Sequence, residues 1–483
     1  MVWKVCCIYG TGIVSIVLLI TGIALVLTQV FQNALYSRIK QEIILKNGTE
    51  AFEAWENPPP PIYMQFYFFN LTNPLEVLKG ENPAVEEMGP YTYREYRPME
   101  NVRFSENGTE VTSINPKTYV FVPEMSKGTE DDLIRTANIP AMTVMEKFKT
   151  HAIISKLISD YMRSSGEGLF VTRSVREMLW GYVDGLLFAL RTFLPDLDPN
   201  FGLLYKKNGT SDGEYVVLSG EKNYKDFARI VEWDGKRSLD WWSTNTSNMI
   251  NGTNAAYFHP LITNNETLYI FISDICRSLY AQFEKDVTVR GVPGFRFVIP
   301  KDVFANATEN PANAGFCVPP GNCLGSGLLD VRVCKQGAPI IMSSPHFYQA
   351  DKKYIDDIHG MHPNAEEHET VLDINPLTGI LLRATNRIQT NVLVEKIDTF
   401  SSQTQNVKTL VLPVMYLNES MLIDEASASR VRSVVNQGNV VINIPFIIIA
   451  LGILLGIVFM LLMCKNHRPE ASASERQPLL QPS

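Results

Sequence analysis

The sequence predicts an α+β membrane protein in which a large, mostly antiparallel β body is held between two membrane-spanning helices. Three observations carry that expectation. Two long apolar runs without a charged residue lie near the chain ends, Val5 to Val30 and Val440 to Cys464. Between them, short runs rich in Tyr, Phe, Val and Ile, bounded by Asn, Pro and Gly, read as strands. In one stretch, Asp131 to Leu194, the apolar period becomes helical.

The apolar runs come first. Each exceeds the roughly 20 residues that cross a bilayer. The first is too long for a signal-peptide core of about 7–15 residues, and no A-x-A cleavage pattern follows it, so it reads as an uncleaved signal anchor. The second reads as a stop-transfer helix, followed by Lys465, His467 and Arg468, while Lys4 precedes the first. Positive charge outside both ends places both tails in the cytosol. The expected order is therefore an N-terminal tail 1–4, a span 5–30, a lumenal ectodomain 31–439, a span 440–464 and a cytosolic tail 465–483.

Glycosylation signals agree. N-x-S/T sequons stand at Asn47, Asn70, Asn107, Asn208, Asn245, Asn251, Asn265, Asn306 and Asn418, and none lies in either tail. The ectodomain holds four cysteines, Cys276, Cys317, Cys323 and Cys334, which in an oxidising compartment read as two disulfides with three possible connectivities. A zinc site is the alternative, but Cys317 and Cys323 are spaced too widely for its usual C-x(2–4)-C pattern. Cys6, Cys7 and Cys464 lie at the membrane edges, open to palmitoylation or simple packing.

In the ectodomain, Pro58 to Pro61 stiffens the exit from the membrane. Strands are expected at Ile62–Phe69, Tyr119–Val122, Tyr215–Leu218, Phe295–Ile299, Gly379–Ile397 and Thr409–Leu417. Within a helical cap at about 131–195, Ile154, Leu157, Ile158, Tyr161 and Met162 mark one helix, and Val175, Leu179, Tyr182 and Leu186 a second. Gly166 and Gly168 separate the two, and Pro195 ends the second.

The chain has 483 residues, of which 45% are apolar, enough for a sizeable core. A net charge of −8 speaks against nucleic acid, which selects a basic face. No cofactor is expected, and no nucleophile elbow, Walker loop or H-E-x-x-H motif marks an enzyme. His359, His362 and His368, with Glu366 and Glu367, form the one metal-like group, but His-x-x-His among Pro and Asn reads as structural loop histidines and no metal is expected. Gly452-Ile-Leu-Leu-Gly456 in the second span is a small-xxx-small motif, open to self-association as a homodimer or to ordinary helix packing.

Four stretches resemble hallmarks of the class B scavenger receptors. They are Glu87-Met-Gly-Pro-Tyr-Thr-Tyr-Arg-Glu95, Phe316-Cys-Val-Pro, Pro339-Ile-Ile-Met-Ser-Ser-Pro-His-Phe347 and Asp373-Ile-Asn-Pro-Leu-Thr-Gly379. The resemblance covers essentially the full chain. It implies a β-barrel-like ectodomain with an internal hydrophobic tunnel that takes lipids such as cholesterol or phospholipid, and a membrane-distal helical bundle as cap. It also implies the disulfide pairing Cys276–Cys334 and Cys317–Cys323.

Within that family the likeness is to a lysosomal sorting member. Glu475, Leu479 and Leu480 fit its acidic dileucine pattern: two leucines for an apolar pocket, and a carboxylate four residues earlier for a basic patch. This implies clathrin adaptors at the tail and residence in late endosome and lysosome membranes. It further implies acid β-glucosidase as cargo, bound by the cap near neutral pH, carried without mannose 6-phosphate and released in acid. By resemblance His151 is the pH-sensing position. At 100° per residue it shares a face with Ile154 and Ile158, and the expected cargo set is His151, Ile154, Leu157, Ile158 and Tyr161. Three readings follow from the sequence: a hydrolase sorting receptor, a lipid-transporting scavenger receptor, and an enzyme, the last without any supporting motif.

Overall fold

The computed structural model describes residues 2–466. Glu475, Leu479 and Leu480 of the sorting signal lie outside the described residues. The chain divides into two compact units, Lys40–Arg432 and a terminal unit built from Met1–Ile39 and Ser433–Ser483.

The larger unit is organised by an 11-stranded antiparallel sheet. Its main path runs Leu268–Ile272, Arg277–Val289, Val292–Val298, Val371–Ile374, Leu381–Val394, Leu410–Leu422, Ile62–Leu71, Val85–Tyr96 and Thr118–Phe121. Ile340–Ser343 pairs with Leu381–Val394 and carries Leu328–Asp330 beside it. The expected large antiparallel β body is thus present, and among the described residues its hydrogen-bonded path runs as an open order of strands.

Pattern explains the central strand. In Ile62–Leu71 every second side chain from Ile62 to Phe68 is buried, and Phe66 and Phe68 are fully so. Each such aromatic, withdrawn from water, contributes about 1.5–3 kcal/mol. On the opposite parity, Tyr67 stacks on its cross-strand partner Tyr416 with ring centroids 4.5 Å apart. Gly89 is required where Val85–Tyr96 passes this strand. Its φ is +138°, and a Cβ there would stand 2.7 Å from the Phe66 carbonyl oxygen, at the register shift between Phe66 and Phe68. That strand holds the first hallmark motif. Its Gly-Pro pair reads as a turn in sequence, which is why alternation alone did not reveal it.

A second sheet, in the order Ile230–Trp233, Glu214–Leu218, Glu110–Ile114 and Glu100–Phe104, belongs to a separate core containing Trp55, Trp233, Trp242 and Phe271. Both expected disulfides are present, Cys276–Cys334 with Cα atoms 6.6 Å apart and Cys317–Cys323 with 4.8 Å. Cys6, Cys7 and Cys464 are free and exposed.

The terminal unit has two helices long and apolar enough to cross a membrane, Cys6–Thr28 and Glu425–Asn466, the latter beginning in the other unit. Here the small-xxx-small motif finds a use inside the chain. The Cβ position of Gly452 lies 3.0 Å from Leu19, that of Gly456 lies 3.0 Å from Ser15 Oγ, and Ser15 Oγ donates to the Gly452 carbonyl at 2.8 Å. The glycine face is thus filled by the first helix, as close packing of small residues in a bilayer favours. A homodimer would need another surface.

Candidate functional site

The cap begins with a hairpin, Leu133–Ala137 against Phe170–Ser174, which the sequence reading did not anticipate. Two helices lie in the connection between its strands. Ile139–Phe148 is started by Asn138, whose side chain accepts from the Ala141 amide at 3.1 Å. Ala152–Ser165 follows, with His151 at its N-cap and Gly166 closing it at φ +75°. The expected second helix is broken. Val175–Trp180 stops at Gly181, a strand pair Tyr182–Val183 with Asn200–Phe201 intervenes, and Gly185–Leu190 resumes. Gly181 has φ +122° and a Cβ there would meet the Tyr205 ring at 2.7 Å, so the chain turns where apolar spacing would have continued it.

The helix Ala152–Ser165 is seated unusually. Its inward face carries Ser155, Ile158, Ser159 and Met162. Ser155 Oγ donates to the Phe148 carbonyl at 2.6 Å, and the Gln403 amide donates to the Ser159 carbonyl at 3.1 Å. The outward face carries Ile153, Ile154, Leu157 and Tyr161, all exposed, with Leu157 63% exposed against 4% for Ile158. Apolar residues usually turn inward and serines outward; here much of that order is reversed. The expected cargo set is therefore divided. His151, Ile154, Leu157 and Tyr161 lie at the surface, but Ile158 is corrected to a core residue, packed with Met162 and Met178. Helical spacing alone groups residues by angle and cannot say which side of the stripe faces the body. Ile153 joins the surface group in its place.

His151 stands at the exposed N-terminus of this helix. Its side chain makes no capping bond. Nδ1 lies 3.2 Å from Thr150 Oγ1, and the ring meets Phe148 edge-on at 6.3 Å. A positive charge at a helix N-terminus opposes the macrodipole by about 0.3–1 kcal/mol. Lys147 and Lys156 are exposed nearby, whereas Lys149 is held by Glu146 at 2.8 Å. Arg332 binds the same Glu146 at 3.0 Å, and Thr399 Oγ1 donates to the Lys149 carbonyl at 3.0 Å, so the end of the preceding helix is fixed to the body. Past the C-terminal end of the helix Ala152–Ser165, burial pushes the Asp184 and Glu167 carboxyls up, and the Asp184 charge adds to the rise at Glu167.

The sequon asparagines differ in exposure. Asn47, Asn107, Asn208, Asn245 and Asn265 are exposed; Asn70, Asn251, Asn306 and Asn418 are partly buried. Among the described residues no group of three His, Cys, Asp or Glu side chains is placed to hold a metal ion. His368 is buried instead against His346, a contact sequence spacing could not reveal.

Comparison with known proteins places these features. The CD36 family model matches residues 13–463. Lysosome membrane protein 2 of Homo sapiens is 52% identical over 478 residues, covering 98% of this chain and 99% of the relative. The same protein of Mus musculus is 51% identical over 478 residues. Scavenger receptor class B member 1 of Sus scrofa is 32% identical over 443 residues, covering 91% of this chain and 86% of the relative. The two terminal helices and the likeness to lysosome membrane proteins together support a two-pass membrane protein of the lysosome. On a match that spans nearly its whole length, the chain belongs to the CD36 family.

Proposed function

We propose that this protein is a lysosomal sorting receptor that takes acid β-glucosidase from the secretory pathway to lysosomes, independently of mannose 6-phosphate. The observation that carries the reading is the inverted helix Ala152–Ser165, which offers Ile153, Ile154, Leu157 and Tyr161 to solvent while serines face the body. An exposed apolar stripe on a helix suits a partner that lays its own apolar surface on it. Protonation of His151 at the helix N-terminus adds an opposed charge beside that stripe, which weakens the contact in acid. Both tails are cytosolic in this reading. The C-terminal one binds clathrin adaptors through Glu475, Leu479 and Leu480, routing the protein through late endosomes. Likeness to lysosome membrane protein 2 over nearly the full chain supports the destination.

A second reading is favoured by the likeness to scavenger receptor class B member 1: lipid handling, with cholesterol or phospholipid passing through a tunnel in the ectodomain. The two are compatible, since cargo would use the cap and lipid the body.

The test is Leu157→Asp. Placing a charge at the centre of the stripe should weaken acid β-glucosidase binding by about 30-fold or more, the effect of losing a central interface anchor of ~2 kcal/mol. Leu157 is exposed, so the fold should be unaffected. Unchanged binding would remove this helix face from the cargo site.

A further inference from the structure

Two of the hallmark motifs meet outside the cap helices. His346, in the stretch Pro339–Phe347, gives its Nε2 to Glu87 Oε2 at 2.7 Å, and Glu87 opens the other motif. His346 stacks on His368 with ring centroids 4.5 Å apart and planes 19° from parallel. Phe69 and Tyr416 close the pocket at 5.2 and 5.8 Å from the His346 ring. Both imidazoles are buried.

The hydrogen bonds fix the protons. His346 Nδ1 accepts from the His362 backbone amide at 3.1 Å, so the ring proton sits on Nε2 and is donated to Glu87. His368 Nδ1 accepts from the Asn364 amide at 3.0 Å and is likewise an acceptor. The His362 amide is thereby held from outside the segment 359–369 by the His346 lone pair, while the Asn364–His368 bond lies within the segment. The segment is also held by the Val85 amide, which donates to the His359 carbonyl at 2.9 Å, and by Met361, buried in the main core. The His359 amide donates to the Pro83 carbonyl at 2.9 Å, and Arg387 donates to the carbonyls of Glu366 and Glu369 at 2.9 and 2.8 Å.

We propose that the His346–His368 stack is an acid-sensitive clasp: a proton taken up at His368 Nδ1 breaks the segment's internal bond to Asn364 and sets a cation against the His346 ring, loosening segment 359–369 from the main sheet. The new N–H would point at the Asn364 N–H, and a cation would stand against the neighbouring ring. The charged and titratable groups facing the stack are Glu87, Glu367 and Arg387, with the Tyr67 and Tyr416 hydroxyls. Burial holds His368 down to about 4, with His346 beside it acting in the same sense and Glu367 and Glu87 opposing.

The direction follows from linkage. The closed clasp has a depressed histidine pKa, so above the ordinary value near 6.5 it loses nothing. As pH falls below that value the open form binds the proton first, and the disadvantage of the closed form is complete near pH 4. Between pH 7.5 and pH 5 the opening equilibrium should rise about 30-fold.

The experiment is amide hydrogen exchange of residues 359–369 in the glycosylated full chain in detergent, from pH 7.5 to pH 4.5, corrected for intrinsic exchange. Wild type should show the rise of about 30-fold by pH 5. His368→Gln, which retains an acceptor carbonyl and takes no proton, should show a flat profile. A wild-type segment equally protected at pH 7.5 and pH 4.5 overturns the proposal without recourse to any variant. So does a His368→Gln chain that keeps the full rise.

Discussion

Replacing Cys276 and Cys334 together with serine should destabilise the ectodomain by about 4 kcal/mol, roughly twice the cost of removing the other disulfide. The reason is loop length. Cys276–Cys334 closes a separation of 58 residues and Cys317–Cys323 one of 6. Loop-closure entropy then gives about 4 and about 2 kcal/mol for the two. Position strengthens the contrast. Cys276 is buried in the core with Trp242, whose indole N–H donates to the Cys276 carbonyl at 2.6 Å. The same bridge joins the strand Arg277–Val289 of the main sheet to the turn at Arg332–Cys334. Guanidinium unfolding of the full chain in detergent, on both paired-serine variants, checks this. Equal midpoints would mean that the long loop is already constrained without its disulfide.

Asp373→Ala should cost about 1.5–3 kcal/mol, the loss of charge-assisted hydrogen bonds to a buried carboxylate. Asp373 is fully buried in Val371–Ile374, directly across from Arg296 in Val292–Val298. The guanidinium grips it with two bonds, 2.7 Å from Nε and 2.9 Å from Nη2. That hydrogen bonding pushes the Arg296 pKa up against the opposing effect of burial. Asp373→Asn keeps one acceptor and should cost less. The neighbouring motif residues serve the same corner. The Asn375 amide donates to the Pro293 carbonyl at 2.8 Å, and its Oδ1 accepts from the Thr378 amide at 3.0 Å. At Gly379, φ is +74° and a Cβ would stand 2.4 Å from the Phe258 carbonyl oxygen. Thermal unfolding of the two Asp373 variants beside wild type measures the effect; a change below 1 kcal/mol in Asp373→Ala would show that the pair is solvated or easily replaced.

What could be read in advance divides along physical lines. The apolar runs and the alternating strands announce themselves, because each depends on residues close in sequence. Ile62–Leu71 and Leu410–Leu422 appeared where their Tyr, Phe and Val content placed them. Arg277–Val289 did not, since its second half is charged and exposed and presents no apolar face. In the cap, Gly166 was legible as a helix end, but the break at Gly181 depends on Tyr205, a contact made only in the fold. The expected cargo face is half legible. Periodicity found the helix, while the assignment of Ile158 to its outer side failed because the inward side is anchored by Ser155 and Ser159. The hallmark motifs marked the family without revealing that Glu87 and His346 touch, because 259 residues separate them.

The measurement that decides the receptor reading is the affinity of the glycosylated full chain for acid β-glucosidase at pH 7 and at pH 5, for wild type and His151→Ala. The expected result is binding at pH 7 that weakens by about tenfold or more at pH 5, a change of ~1.4 kcal/mol, with the difference reduced in the variant. Absence of binding at pH 7 would contradict the receptor reading and leave lipid transport as the function to pursue.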